Sequence, residues 1–142
     1  AAVILAAVEP RLRCHGAALA GGSIPDILLT SDDTLLTKPR RQYLLRNRMS
    51  LDMFAAELRR SIRTDPIRLA PYVDARRLLL FVALFDRTVG ARNAFRLRHA
   101  LGHPATIFMP LGHYTAYLSL PYLKATSLRF FRKQLAVGRL PK

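Results

Sequence analysis

Acidic side chains are scarce here: 9 aspartates and glutamates face 23 lysines and arginines in 142 residues, for a formal charge of +14 at neutral pH. Cysteine is scarcer still. Cys14 stands alone, so an internal disulfide is excluded, and no Cys/His spacing resembles a zinc site. A single thiol leaves the compartment open, with a lean to a reducing, cytoplasmic one. Long apolar runs are missing too, since none nears the ~20 residues that cross a bilayer, and no transmembrane segment is expected. The opening "AAVILAAV" resembles the apolar part of a secretory leader but has no basic flank before it. Glu9-Pro10-Arg11 after it is a poor cleavage site. It reads as the middle of a helix cut from a longer polypeptide.

The basic surplus invites a nucleic-acid reading, because a field of that size attracts phosphate. Its distribution points elsewhere. The arginines are scattered through apolar-periodic segments, as in "LRRSIR" (Leu58–Arg63) and "RFFRKQ" (Arg129–Gln134). The chain has no basic low-complexity arm, no aromatic RNA-binding motif and no zinc-finger spacing. A solvated arginine-rich surface accounts for the charge, and no specific nucleic acid is expected as a partner. A basic, non-catalytic interaction module that binds nucleic acid or an acidic partner is the alternative reading.

What the chain does have is apolar material, 51% of its residues, enough for the core of one domain at this length. Ala1–Val8 reads as the end of an apolar helix stopped near Pro10. His15–Gly22, "HGAALAGG", suits a short buried strand with a tight exit, and Ser23–Thr30 a helical turn with Pro25 near its start. Ser31–Arg41 shows little periodicity and reads as a connection. The pattern turns helical from Gln42 to Ser61, with Leu51, Phe54, Ala55, Leu58 and Ile62 on one face and Ser50 as N-cap. Two prolines break Thr64–Arg77 into a short helical piece and a loop.

Leu78–Phe85, "LLLFVALF", is a continuous apolar run, as expected of a strand covered on both faces. A helix follows through Ala91, Ala94, Leu97 and Leu101, with Gly102 beyond its end. Ala105–Pro110 is a third strand candidate. The last segment, from Thr115 to Gly138, reads as a long helix interrupted at Pro121. The alternation argues for an α/β layer architecture of about three parallel strands flanked by helices, with residues 31–77 as a helical insertion. Three strands are few for such a sheet, and the first would expose a bare edge, so a neighbour upstream is expected.

Functional groups in parallel sheets collect at the carboxyl ends of strands. Asp86 ends the Leu78–Phe85 run, and His113 follows the third strand in a Gly-His-Tyr turn. Adjacent strands would set these loops side by side. There a carboxylate can accept the N–H of an imidazole, fix its tautomer and stabilise its cation. Each residue alone has a plainer role: the aspartate as turn or cap residue, the histidine as an exposed loop side chain. His99 fits a helix C-terminus. His15 and His103 have no metal-ligand partner, and Tyr114, Tyr117 and Tyr122 fit packing of the final helix. Arg87 reads as a surface residue.

With these residues in view, "LLLFVALFDRTVG…ALGHPATIFMPLGHYTAYLSLPYL" resembles the C-terminal part of serine α/β-hydrolases, especially esterase-like and dienelactone-hydrolase-like members. The resemblance is strongest over Leu78–Leu123. It implies that Asp86 matches the triad acid and His113 the general base, that no metal or organic cofactor is required, and that the substrate is a small-molecule carboxylic ester. Gln42–Tyr72 would form part of a cap. The nucleophile of that family sits in a G-x-S-x-G elbow. None of Ser23, Ser31, Ser50, Ser61, Ser119 and Ser127 has that pattern, nor does Cys14. In the family order Ala1–Val8 matches the helix after the elbow, so the resemblance places the serine just before Ala1. The expected chain is the C-terminal half of a hydrolase, inactive alone, and its natural partner is the N-terminal half of the fold.

Overall fold

The computed structural model describes residues 2–136. Among the described residues three parallel strands form one open sheet in the order β1-β2-β3: β1 is His15–Ala18, β2 Leu78–Ala83 and β3 Ala105–Met109. Helix α1 (Ala2–Val8) precedes β1. Four helices lie between β1 and β2: α2 (Ile24–Thr30), α3 (Thr34–Asn47), α4 (Leu51–Ser61) and α5 (Pro66–Leu69). Helix α6 (Ala91–Ala100) joins β2 to β3, and α7 (Leu120–Ala136) follows β3. The α/β class expected from the alternation is therefore what the chain adopts.

Strand β2 is central because its side chains are apolar on both faces, and all six of its residues are buried. Side chains alternate across a strand, and the two halves of that set enter different layers. Leu78, Leu80 and Val82 pack with Val3, Ala70, Val73, Ala94, Leu97 and Leu101 from α1, α6 and the turn after α5. Leu79 and Phe81 pack with Met109, Ala116, Leu123 and Phe130 on the α7 side. The sheet thus has helices on both faces, as a continuous apolar run requires.

The strand ends fall inside the expected bounds. β1 stops at Ala18 because Leu19 takes a left-handed φ of 54°, although its N–H still donates to the Phe81 carbonyl at 3.0 Å. β2 stops at Ala83, yet the Leu84 and Phe85 N–H groups donate onward to the Met109 and Leu111 carbonyls at 2.9 and 3.0 Å. That extra pairing carries the β2 and β3 loops forward together.

Two expectations need correction. Ser31–Arg41 is not a simple connection: α3 starts at Thr34, with the Asp33 side chain accepting from Leu35 N as its N-cap. No residue of α3 is buried, so there was no apolar stripe to announce it. The final helix breaks before Pro121 rather than at it. A 3₁₀ segment spans Thr115–Ser119, and Pro121 sits in the first turn of α7, where a missing N–H costs little. The Gly138 helix end lies outside the described residues. Ser50 caps α4 through Met53 N, and Gly102, at φ 71°, follows α6 in the left-handed conformation that closes helices. Among the described residues no helix is long and apolar enough to cross a membrane.

Candidate active site at the carboxyl ends of β2 and β3

Beyond β2 the chain turns sharply, and Asp86 makes the turn. Its Oδ1 accepts from the N–H groups of Thr88 and Val89 at 2.8 and 2.9 Å. The plain reading of Asp86 as a turn residue is thus correct for one of its oxygens. The other, Oδ2, lies 2.8 Å from His113 Nδ1. The Asp86 side chain is 4% exposed and that of His113 25%, so the carboxylate lies beneath the imidazole and the ring faces outward.

The β3 loop delivers His113 by close backbone contact. A Cβ on Gly112 would meet the Phe85 carbonyl oxygen at 3.3 Å, tighter than most side chains tolerate. Gly112 N–H donates to Thr115 Oγ1 at 2.8 Å, and Ala116 N–H returns to the Gly112 carbonyl at 3.1 Å, a turn that leads into the 3₁₀ segment. With Asp86 ionised, the short contact places the ring proton on Nδ1 and leaves the Nε2 lone pair free. A cavity of about 290 Å³ adjoins the ring, lined also by Asp33, Phe85, Arg87, Thr88 and Tyr114.

Asp33 belongs to this site and was not singled out from the sequence. Its Oδ2 accepts from Thr88 Oγ1 at 2.6 Å and from Tyr114 OH at 2.7 Å. These hydroxyl bonds, with the α3 cap bond and the nearby His113, hold the Asp33 carboxyl below its ordinary range. The same bond to Asp33 pushes the Tyr114 hydroxyl up. The expectation that Tyr114, Tyr117 and Tyr122 pack the final helix is corrected, since all three are more than half exposed. The usable signal was "SDDT", an N-cap pattern in a segment without periodicity.

The other candidates lie elsewhere. Cys14 and His15 stand at the amino end of β1, opposite the site, as does His103, which precedes β3. Burial raises the Cys14 thiol, which disfavours the thiolate a nucleophile needs. His103 Nε2 is 3.3 Å from His99 Nδ1 and its Nδ1 is 2.6 Å from Arg98. Ser23 sits in a strand–turn–helix setting with φ 57°, but it opens onto a pocket with Asp26, Arg59 and Arg96 rather than the His113 cavity. Arg87 is exposed and lines the cavity rim. Among the described residues no group of three or more His, Cys, Asp or Glu side chains is placed to hold a metal ion.

No family model matches the chain, and no curated protein or solved structure matches it. What the site can do follows from its own chemistry. A buried carboxylate that orients an imidazole, with the opposite ring nitrogen free of a protein partner among the described residues, is an arrangement suited to general acid–base chemistry.

Proposed function

We propose that this chain is the C-terminal portion of a serine hydrolase of the α/β-hydrolase kind, acting on carboxylic esters, with His113 as general base and Asp86 as its orienting acid. The observation that carries the reading is the 2.8 Å contact between His113 Nδ1 and Asp86 Oδ2, made by loops at consecutive carboxyl ends of a parallel sheet. In this reading a serine hydroxyl from an upstream segment gives its proton to His113 Nε2 as its oxygen attacks the ester carbonyl. The imidazolium then protonates the leaving alcohol, and water repeats the sequence on the acyl-enzyme. In this reading part of the helical insertion, which reaches the cavity at Asp33, contributes to the cover over the substrate.

The open edge of β1 supports the same reading, because among the described residues no strand pairs with its outer side. The test is co-expression of the 142-residue chain with an upstream segment bearing a strand and a G-x-S-x-G turn, followed by an ester-hydrolysis assay. Turnover that His113→Ala abolishes supports the proposal. Turnover unaffected by that change sinks it, as does an inactive, well-folded complex.

One observation favours the basic-module alternative. Phe95 and Phe108, both partly exposed, stack with centroids 5.7 Å apart, and Arg98 lies over the Phe108 ring. Polyanion binding with a steep salt dependence, lost on Phe108→Ala, would favour it over the hydrolase.

A further inference from the structure

We infer that Asp33 is a positioning residue for the Asp86–His113 pair, tethering the helical insertion to both loops that carry it. The inference rests on the reading of Asp86 and His113 given above and goes one step beyond it. No oxygen of Asp33 touches either ring nitrogen of His113; it acts on their neighbours. Tyr114, which follows His113 directly, donates its hydroxyl to Asp33 Oδ2 at 2.7 Å. Thr88, two residues after Asp86, donates its hydroxyl to the same oxygen at 2.6 Å.

Thr88 is the shared part. Its side chain is held by Asp33 while its N–H donates to Asp86 Oδ1 at 2.8 Å. Asp33 therefore fixes the donor that occupies one oxygen of Asp86, and so leaves the other turned toward His113. Its remaining oxygen caps α3 through Leu35 N at 2.9 Å. Around it, Asp32 N–H and Ser31 Oγ both donate to the Arg87 carbonyl, at 3.1 and 3.3 Å. The first residues of the insertion are thus bonded to the β2 loop at 87 and 88 and to the β3 loop at 114. A displacement of these first residues reaches the imidazole through these bonds, which couples the position of the insertion to the geometry of the base.

The test uses the 142-residue chain labelled with ¹⁵N-histidine, whose ring nitrogen shifts report the tautomer of His113. The wild type is expected to hold the proton on Nδ1. Asp33→Ala removes the acceptor that both hydroxyls share, and the ratio of Nδ1–H to Nε2–H tautomer should fall by about fivefold to tenfold, the scale of one lost hydrogen bond. Thr88→Val and Tyr114→Phe each remove one of the two bonds and should produce smaller shifts in the same direction. They also keep the test decisive should Asp33→Ala fail to fold. Ser50→Ala removes the cap of a different insertion helix and should leave the ratio unchanged. An unchanged ratio in Asp33→Ala, or in both single-bond variants, overturns the inference. An equal fall in Ser50→Ala overturns it also, since general loosening would then suffice. A wild-type His113 without the proton on Nδ1 removes the Asp86–His113 reading itself, a separate and recognisable failure.

Discussion

His113 Nδ1 and Asp86 Oδ2 lie 2.8 Å apart although 27 positions separate them in the chain, and Asp86 meets this demand with one oxygen while the other holds its own turn. Those two duties can be separated by substitution. Asp86→Asn retains an oxygen for the Thr88 and Val89 N–H groups but withdraws the charge beside the imidazole. Asp86→Ala leaves both donors unpaired in a buried place and should cost about 1–3 kcal/mol of stability in urea unfolding, with Asp86→Asn clearly milder. If the proposed hydrolase reading holds, both should lower kcat of the reconstituted complex by about 10³–10⁴-fold. An asparagine variant with near-normal turnover would remove Asp86 from the orienting role.

Much of this arrangement could be read from the residues because it depends on local pattern. An unbroken apolar run ending in Asp86, and a short strand ending near His113, locate both groups by strand geometry alone. The bonds that secure the insertion depend instead on partners remote in sequence. Asp33 meets Thr88 across 55 positions and Tyr114 across 81. Asp65 accepts from Ser23 N at 2.9 Å and Ile24 N at 2.7 Å, across 42 and 41 positions, and it is 5% exposed. Nothing in "TDPIRL" distinguishes such an anchor from an ordinary cap. Helix α3 was missed for the complementary reason: with no buried residue, its sequence had no face to mark.

Stability should be concentrated in β2. Leu80 is fully buried between the α1 and α6 contacts, so Leu80→Ala removes apolar contact and leaves a cavity, at a cost of about 2–5 kcal/mol. Leu118, which is 82% exposed, loses little contact on truncation, and Leu118→Ala should stay within about 0.5 kcal/mol of the parent. Parallel denaturant titrations measure the difference. Equal effects would mean that β2 does not form the core described here.

The outer edge of β1 and the groove beside it should make the isolated chain self-associate. Unpaired strand groups offer a template for another chain. Beside them lies an apolar groove of about 560 Å³ between Ala18, Phe81, Leu123, Leu128 and Phe131. Sedimentation velocity over a concentration series should show growing assemblies. Ala18→Lys places a charge on the exposed end of β1 and should reduce them without loss of helical signal. A chain that stays monomeric at all concentrations would count against an unfilled edge.

Acid should weaken the fold in two stages, with signs set by three side chains. Burial, and then the Arg77 charge, hold the His15 imidazole below its ordinary value. Asp33 is held low by the Thr88 and Tyr114 hydroxyls. Asp26 is held low by the neighbouring Ser23 hydroxyl and by Arg96 and Arg59. In each case the unfolded chain takes up the proton more readily than the folded one, so stability rises with pH across the interval between the two affinities. The His15 contribution is complete above the ordinary histidine value of about 6.5 and declines as pH falls below it. The aspartate contributions are complete above about 4 and are lost as pH falls through their depressed folded values. Thermal midpoints between pH 7.5 and pH 3, in steps of about half a unit, should therefore fall first near the histidine range and again below the aspartate range. His15→Gln should abolish the first decline alone. Asp26→Asn should shrink only the second, and a His15→Gln curve that falls as steeply as the parent's through the histidine interval would contradict the environment assigned to His15.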